Sequence, residues 1–418
     1  MKILLLAPYF APYNNPRALR WVSLVQAMGK MGVSVTVLCS FFSESVRRED
    51  FKVEVIPVGY NSLQEFLAMR SKKAGSSVGT TNNWKYLAHQ LLWKPFIFPD
   101  ESFIWKRPAL SKALSLLSAE HFDAVISVGL PFSAHLVAKE IKATFPDITW
   151  LMDVGDPYAL QENHPISNPV FFKKRSHLLE RECLLQCDRV AVTNKGMKNK
   201  YADTFDVPKE KIRVIPPLNS IQFLDKAPSV TTETIQIGYF GSFFRNIREP
   251  KILLDAIGHL DAWASKANLS IQWHFFGNGF ERFNLDKRIR EYGLSIEVHS
   301  KVDRLQITTF MESMNVLLHF GNATDFQIPS KIAEYICSGK SILHVQQIAA
   351  DPVLPLLKNY PYALEIKTPL EEKDGSAVIN FLEKALQHQP DTELVEKHRC
   401  KYKPEEIAKE YLELLRSI

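Results

Sequence analysis

What the sequence lacks narrows the field before any motif is considered. It has no run of about 18 apolar residues, so nothing in it reads as a membrane-spanning helix. The apolar opening at residues 2–7 flows into Pro8 and Pro12, which suits a first β-strand and is too short and wrongly flanked for a signal peptide. Cysteine is sparse, with five residues scattered at Cys39, Cys183, Cys187, Cys337 and Cys400. Cys183 and Cys187 are one helical turn apart, but no second pair at metal-ligand spacing follows, so buried reduced thiols in a cytosolic protein are expected. Excess charge is slight: a formal +5 permits an anionic ligand or a membrane surface and gives no argument for nucleic acid. Long disorder is excluded by a composition of 46% hydrophobic and 23% charged residues. The loop after the first strand, Ala11-Pro-Tyr-Asn-Asn-Pro16, has no GxGxxG and is a poor dinucleotide fingerprint.

What remains is a long alternation of strand and helix patterns. At 418 residues the chain exceeds one ordinary core, so two domains are expected. Residues 2–9 read as a buried strand, Arg17 to Met31 carries apolar residues at helical spacing, and Gly32 precedes a second strand at 33–38. This βαβ start implies a parallel sheet covered by helices, with ligands beyond the carboxyl ends of its strands. Further strands are predicted at 53–58, 123–129, 148–155, 189–193 and 212–215, and a helix over 168–186. Residues 61–120 are rich in basic and aromatic side chains, among them Lys72, Lys73, Trp84, Lys85, Trp93, Lys94, Phe96, Trp105, Lys106 and Arg107; they suit either an aromatic core with solvated lysines or contact with lipid headgroups. After Pro216, Pro217 and a polar stretch, the pattern restarts at residue 235, with strands at 270–277, 296–300, 315–321, 341–345 and 362–366. The expected division is residues 1–222, a linker at 223–233, a second domain at 234–398, and an amphipathic helix within 399–418 that returns to the first domain.

Four places carry chemistry. The stretch Asp325 to Lys340 reads as a loop and a short helix, with Pro329 at its first position, Ser330 and Gln327 able to cap it, and Gly339 as its stop. Free amides near Ser330, Lys331 and Ile332 favour an anion, ideally a diphosphate. Glu334, about one turn inside, suits the hydroxyls of a vicinal diol such as a ribose. Arg245 and Arg248 follow the first strand of the second domain, and guanidinium forks match phosphate geometry, so no metal is needed to offset leaving-group charge. Asp153 and Asp156 flank Val154-Gly155 at a strand's carboxyl end, and Asn14 and Asn15 lie in the first loop. Each feature also has a plain structural reading: a capped helix, solvated loop charges, turn chemistry.

In combination these residues resemble the GT-B glycosyltransferases, and specifically glycosyltransferase family 4 as found in bacterial surface-polysaccharide enzymes. The carriers are the proline-rich first loop with Arg17 and Arg20, PDESFIW at 99–105, the turn from Asp153 to Tyr158, LERECLLQCDRVAVTN at 179–194, YFGSFFRNIREP at 239–250 and, most specific, IPSKIAEYICSGKSI at 328–342. The resemblance implies an α/β protein of two doubly wound Rossmann-like domains facing a central cleft. It implies a retaining, hexosyl-type transfer from a nucleotide-sugar donor, UDP- or GDP-linked, to a saccharide or lipid-linked acceptor, with no metal or other cofactor. It also implies a cytoplasmic location, with peripheral contact at the inner membrane face. The donor would lie in the second domain, with Glu334 on its ribose, Ser330 to Ile332 and Arg245 on its diphosphate, Arg248 or Lys331 assisting, and Val302 at the base. Asn14, Asn15 and Arg17 would line the acceptor side, and Asp153 or Asp156 would face the transferred sugar. The chain departs from the family where many members place a glutamate eight residues before the one matching Glu334: here stands Phe326, with Asp325 beside it. Two other readings share the architecture, a nucleotide-sugar 2-epimerase and a non-catalytic nucleotide-binding protein.

Overall fold

The structure is a computed structural model, and it describes residues 1–13, 15–41, 53–61, 97–161, 169–219, 221, 223, 234–277, 279–300, 302 and 304–417. Asn14, most of the expected linker, and the basic and aromatic residues from Lys72 to Phe96 lie outside the described residues. The chain divides into two compact units, Met1–Pro216 with Pro404–Ile418, and Pro217–Lys403.

The first unit is built on a parallel sheet of β1 (Lys2–Leu6), β2 (Ser34–Cys39), β3 (Glu54–Pro57), β4 (Ala124–Gly129), β5 (Thr149–Val154), β6 (Arg189–Val192) and β7 (Ile212–Val214), in the order β3-β2-β1-β4-β5-β6-β7. Its crossovers include α1 (Pro16–Lys30), α2 (Phe103–Ala119), α3 (Ser133–Thr144), α4 (Pro169–Gln186) and α5 (Lys195–Phe205). The central strands are continuous apolar runs because helices bury both faces of a parallel sheet. Asn15 caps α1 by accepting the Ala18 amide at 2.8 Å, and Pro16, which needs no donor there, opens the helix.

The second unit repeats the scheme. It holds β8 (Thr234–Phe240), α6 (Pro250–Lys266), β9 (Ser270–Gly277), α7 (Leu285–Glu291), β10 (Ile296–Ser300), α8 (Arg304–Ser313), β11 (Val316–Phe320), α9 (Lys331–Ser338), β12 (Ser341–Gln346), α10 (Leu354–Leu357), β13 (Ala363–Lys367), α11 (Gly375–Leu386) and α12 (Thr392–Tyr402). The sheet order is β10-β9-β8-β11-β12-β13, all parallel. Each sheet reverses its winding once, between β1 and β4 in the first unit and between β8 and β11 in the second. At such switch points the loops leave toward opposite faces and open a crevice at the strands' carboxyl ends.

The last helix, α13 (Pro404–Arg416), belongs to the first unit. Tyr411 packs edge-on against Trp21 of α1 with ring centroids 5.1 Å apart, and Arg20 donates to the Tyr411 hydroxyl at 3.2 Å and to the Pro216 carbonyl at 3.0 Å. Among the described residues no helix is long and apolar enough to cross a membrane.

One buried acid makes the first unit pH-sensitive. Glu180 of α4 accepts the Tyr201 hydroxyl at 2.6 Å and the amides of Ala159 at 2.7 Å and Tyr158 at 3.3 Å. Burial outweighs these bonds and pushes its carboxyl up to about 7 from an ordinary 4.5. The folded protein therefore keeps a proton that the unfolded chain has released, so stability is fully present below the unfolded value and is lost as pH rises through about 7. Urea titrations of wild type and Glu180→Gln should show the wild-type protein losing about 3 kcal/mol relative to the variant across that window. Parallel curves would remove Glu180 as the source.

Candidate active site

In the second unit the switch point is fastened by Tyr335 of α9. Its buried hydroxyl accepts the Phe240 amide at the end of β8 at 3.0 Å and reaches the Leu318 carbonyl of β11 at 3.4 Å. Burial raises the Tyr335 phenol well above its usual value, so it stays neutral. The helix is apolar on the face that packs with Met311, Leu317 and Ile342, and Gly339 ends it at φ 79°. A side chain at Gly339 would also meet Val395 Cγ2 at 2.9 Å, so space and backbone both require glycine.

The start of α9 differs from the sequence expectation. Pro329 lies before the helix rather than in its first turn, and Ser330, at φ −59° and ψ −25°, is itself helical and makes no side-chain capping bond. A cap needs an extended residue whose side chain turns back on the first amides, and a helical Ser330 cannot do this. The Ile332 amide donates to the Pro329 carbonyl at 3.2 Å. Of the three amides expected to meet an anion, those of Ser330 and Lys331 therefore remain the better candidates. Ser330 is exposed, Ile332 is in the core, and Glu334 is 7% exposed with its carboxylate paired to Lys331 one turn earlier.

The loop after β8 closes as a small hairpin. Phe244 and Arg248 exchange amide–carbonyl bonds of 2.9 Å in both directions, and Asn246 takes φ 59° between them. Arg245 is exposed near the tip. Arg248 is half-buried at the base with its guanidinium 5.3 Å from the Phe244 ring centroid, and its Nε is buried with no hydrogen-bond partner among the described residues. The hairpin is laced to its neighbours: the Ile247 carbonyl accepts the Ala323 amide at 2.8 Å and Gln347 Nε2 at 3.0 Å, and Gln347 also donates to the Gly321 carbonyl at 2.5 Å. Loops after β8, β11 and β12 thus hold one another. Asp325 is exposed and Phe326 half-buried in the middle loop, while Val302 is half-buried against the core around α9.

Sequence reasoning missed a polar chain beside this crevice. Asp351 accepts His344 Nε2 at 3.2 Å, and the two Nδ1 atoms of His344 and His319 are 2.9 Å apart. The network assigns the protons: His344 gives its Nε2 proton to the carboxylate, so its Nδ1 accepts from His319, and His319 Nε2 is left as a buried acceptor with no partner among the described residues. Burial holds His319 well below the usual imidazole value, with His344 and the nearby Arg248 guanidinium adding to the effect, so it is neutral. Gly321 is required, because a Cβ there would lie 2.1 Å from Asp351 Oδ2. The signal was present: histidine stands fourth in both Val-Leu-Leu-His-Phe and Ser-Ile-Leu-His-Val, and the two residues pair in register.

In the first unit the described residues among those predicted from sequence lie after β1 and at the end of β5, in different roles. Asp153, 3% exposed, accepts Trp21 Nε1 at 2.9 Å and the Tyr411 hydroxyl at 2.6 Å, so it fastens α1 and α13 to β5. Asp156, with a side chain 52% exposed, takes Arg17 Nη2 at 2.9 Å, while Arg17 Nη1 lies 3.8 Å from Asp153 and has no hydrogen bond among the described residues. Arg17 lies flat on Gly155, where a Cβ would come within 2.1 Å of the guanidinium. Asn15 spends its side-chain oxygen on the α1 cap. His135, also unforeseen, faces Ser127 Oγ through Nδ1 at 2.8 Å and lies under Gly129; burial, with Arg17 adding, pushes it down to about 3.

Two parallel α/β units with crevices at their switch points make up the GT-B fold, and the chain has a fold of that class. Its likeness within the class is to family 4: residues 19–218 match the family described as Glycosyltransferase Family 4. S. aureus TarM, in a structure with fondaparinux, α-GlcNAc-glycerol and UDP, superposes with a TM-score of 0.60 at 11% identity over 99% of each chain. The lipopolysaccharide outer core galactosyltransferase WaaB gives 0.60 at 12% identity over 100% of this chain and 99% of its own. A protein from Listeria monocytogenes, proposed to be a UDP-N-acetylglucosamine 2-epimerase, gives 0.54 at 13% identity over 100% of this chain and 96% of its own. No curated protein matches the sequence.

Proposed function

We propose that the protein is a retaining, metal-independent glycosyltransferase that moves a sugar from a UDP- or GDP-sugar to a saccharide or lipid-linked acceptor in bacterial surface polysaccharide biosynthesis. The observation that carries this reading is the pairing of Glu334, buried one turn inside α9, with the unpartnered Arg248 Nε at the same switch point. A carboxylate for the ribose diol and a guanidinium for the diphosphate suit the nucleotide end of such a donor. Val302 lies on the β10 side, where the base would sit. Lys331, Arg245 and the amides at Ser330 and Lys331 complete the phosphate contacts. With no protein nucleophile assigned, the acceptor oxygen attacks the anomeric carbon from the face the phosphate leaves. The carbon–phosphate oxygen bond breaks as the new glycosidic bond forms, and the acceptor proton passes to the leaving phosphate. The arginines oppose the charge that grows there.

On the acceptor side we assign Asp153 to holding the unit together, and Asp156 and Arg17 to facing substrate. Peripheral membrane contact at the cytoplasmic face fits the exposed Phe103 near Lys106 and Arg107, and Arg175 stacked 4.5 Å from the Phe98 ring. A thermal-shift screen of nucleotide-sugars tests the donor class, since binding raises the melting point. Glu334→Ala should then weaken the selected donor by roughly 10- to 100-fold, the loss of a charge-assisted hydrogen-bond pair at about 1.5–3 kcal/mol. Unchanged affinity by calorimetry would remove Glu334 from the site. Free epimerised sugar appearing without acceptor would replace transfer by 2-epimerisation.

A further inference from the structure

Three side chains on the β9–β10 edge of the second unit point three ligand atoms at one another. His274 Nδ1 lies 3.2 Å from His299 Nε2 and 3.3 Å from Glu297 Oε2, and His299 Nε2 lies 3.5 Å from the same carboxylate oxygen. His274 and Glu297 are register partners, and His299 is two residues further along β10 on the same face. A tetrahedral zinc ion bound at about 2.0–2.1 Å separates its ligands by about 3.3 Å. The triangle therefore has the edge lengths of one face of that tetrahedron.

The surroundings fix the donors. His274 Nε2 is 2.7 Å from Gln236 Oε1, an oxygen that accepts only, so the proton sits on Nε2 and the Nδ1 lone pair faces the triangle. Such an outer hydrogen bond sets tautomer and ring angle at metal-bound histidines. The His299 ring is held in a stack on Phe276, with centroids 4.4 Å apart and planes 8° apart, so its Nε2 is aimed by packing. Glu297 is exposed, which leaves the fourth position open to water.

We propose that His274, Glu297 and His299 form a binding site for a single divalent cation of the zinc type. Two imidazoles and one carboxylate select zinc over the oxygen-seeking calcium and magnesium. Bound there, the ion would pin edge strand β10 to β9 through three protein ligands, with its fourth position left to water.

Purified protein stripped with a chelator, dialysed against zinc alone and analysed for metal should retain one equivalent per chain, with a rise in melting temperature. Cobalt in its place should give the intense visible absorption of a tetrahedral site. Glu297→Gln, at an exposed position that leaves the core untouched, should bind at least about tenfold more weakly, the loss seen when even an outer partner of a metal ligand is removed. His299→Gln should abolish stoichiometric binding. Failure of the stripped protein to take up zinc would overturn the proposal and reduce the cluster to a histidine–histidine hydrogen bond. Full retention in folded Glu297→Gln and His299→Gln would also overturn it, placing the ion elsewhere.

Discussion

Replacing Arg248 with alanine should lower kcat by roughly 10²- to 10³-fold, the cost of removing one preorganised group that opposes developing charge. Donor affinity should fall much less. The asymmetry follows from how the residue is held. Its guanidinium is held by the Phe244 ring and by a hairpin whose ends exchange two backbone bonds, and its Nε has no partner among the described residues. A buried, unpartnered donor costs about 1–3 kcal/mol in the free protein, and a phosphate that gains charge as its bond to sugar breaks removes that cost when the reaction needs it. Arg248→Lys should recover little, since an ammonium lacks the fork. Arg245 is exposed, so Arg245→Ala should be the milder change. Single-turnover rates alongside calorimetric donor affinities separate the two effects. An equal loss in both would mean uniform binding and would end the transition-state role.

Asp153→Ala should destabilise the first unit by about 3–5 kcal/mol, the range for removing one partner of a buried charged network. The Asp153 carboxylate accepts from Trp21 and Tyr411 and stands near Arg17 Nη1. Its loss leaves buried donors from two helices without an acceptor. Tyr411→Phe, which removes one hydroxyl, should cost about 1–3 kcal/mol. Urea denaturation gives both numbers. If Asp153→Ala is as stable as wild type and yet inactive, the carboxylate belongs to the chemistry, and its assignment to holding the fold is wrong.

The sheets were legible because parallel strands buried on both faces announce themselves as apolar runs, and because Gly32 and Gly339 mark helix ends. The switch points were not legible, because they depend on which strands pair, and the linear order of the runs does not give that. The start of α9 was less legible, since Ser330 is a good cap by type and only its backbone angles deny it that role. Asp153 and Asp156 look alike in sequence, three residues apart at one strand end. Their difference depends on Tyr411, a residue far away in the chain whose approach no local pattern encodes. The chain from Asp351 through His344 to His319 was hidden for a related reason: each histidine alone is a polar interruption in an apolar strand, and only the pairing of β11 with β12 makes them a unit.

The return of α13 to the first unit has a consequence for how the protein is made. Synthesis proceeds from the amino end, so every residue of the second unit is available before α13 exists. Until then β1 to β7 can pair, but Trp21 and Asp153 lack Tyr411, and the groove beside α1 has no helix in it. The unit that is translated first therefore cannot be completed until α13 has been made. Until α13 emerges, the nascent chain carries a nearly complete sheet with an open apolar seam, an interval in which it is open to misassembly.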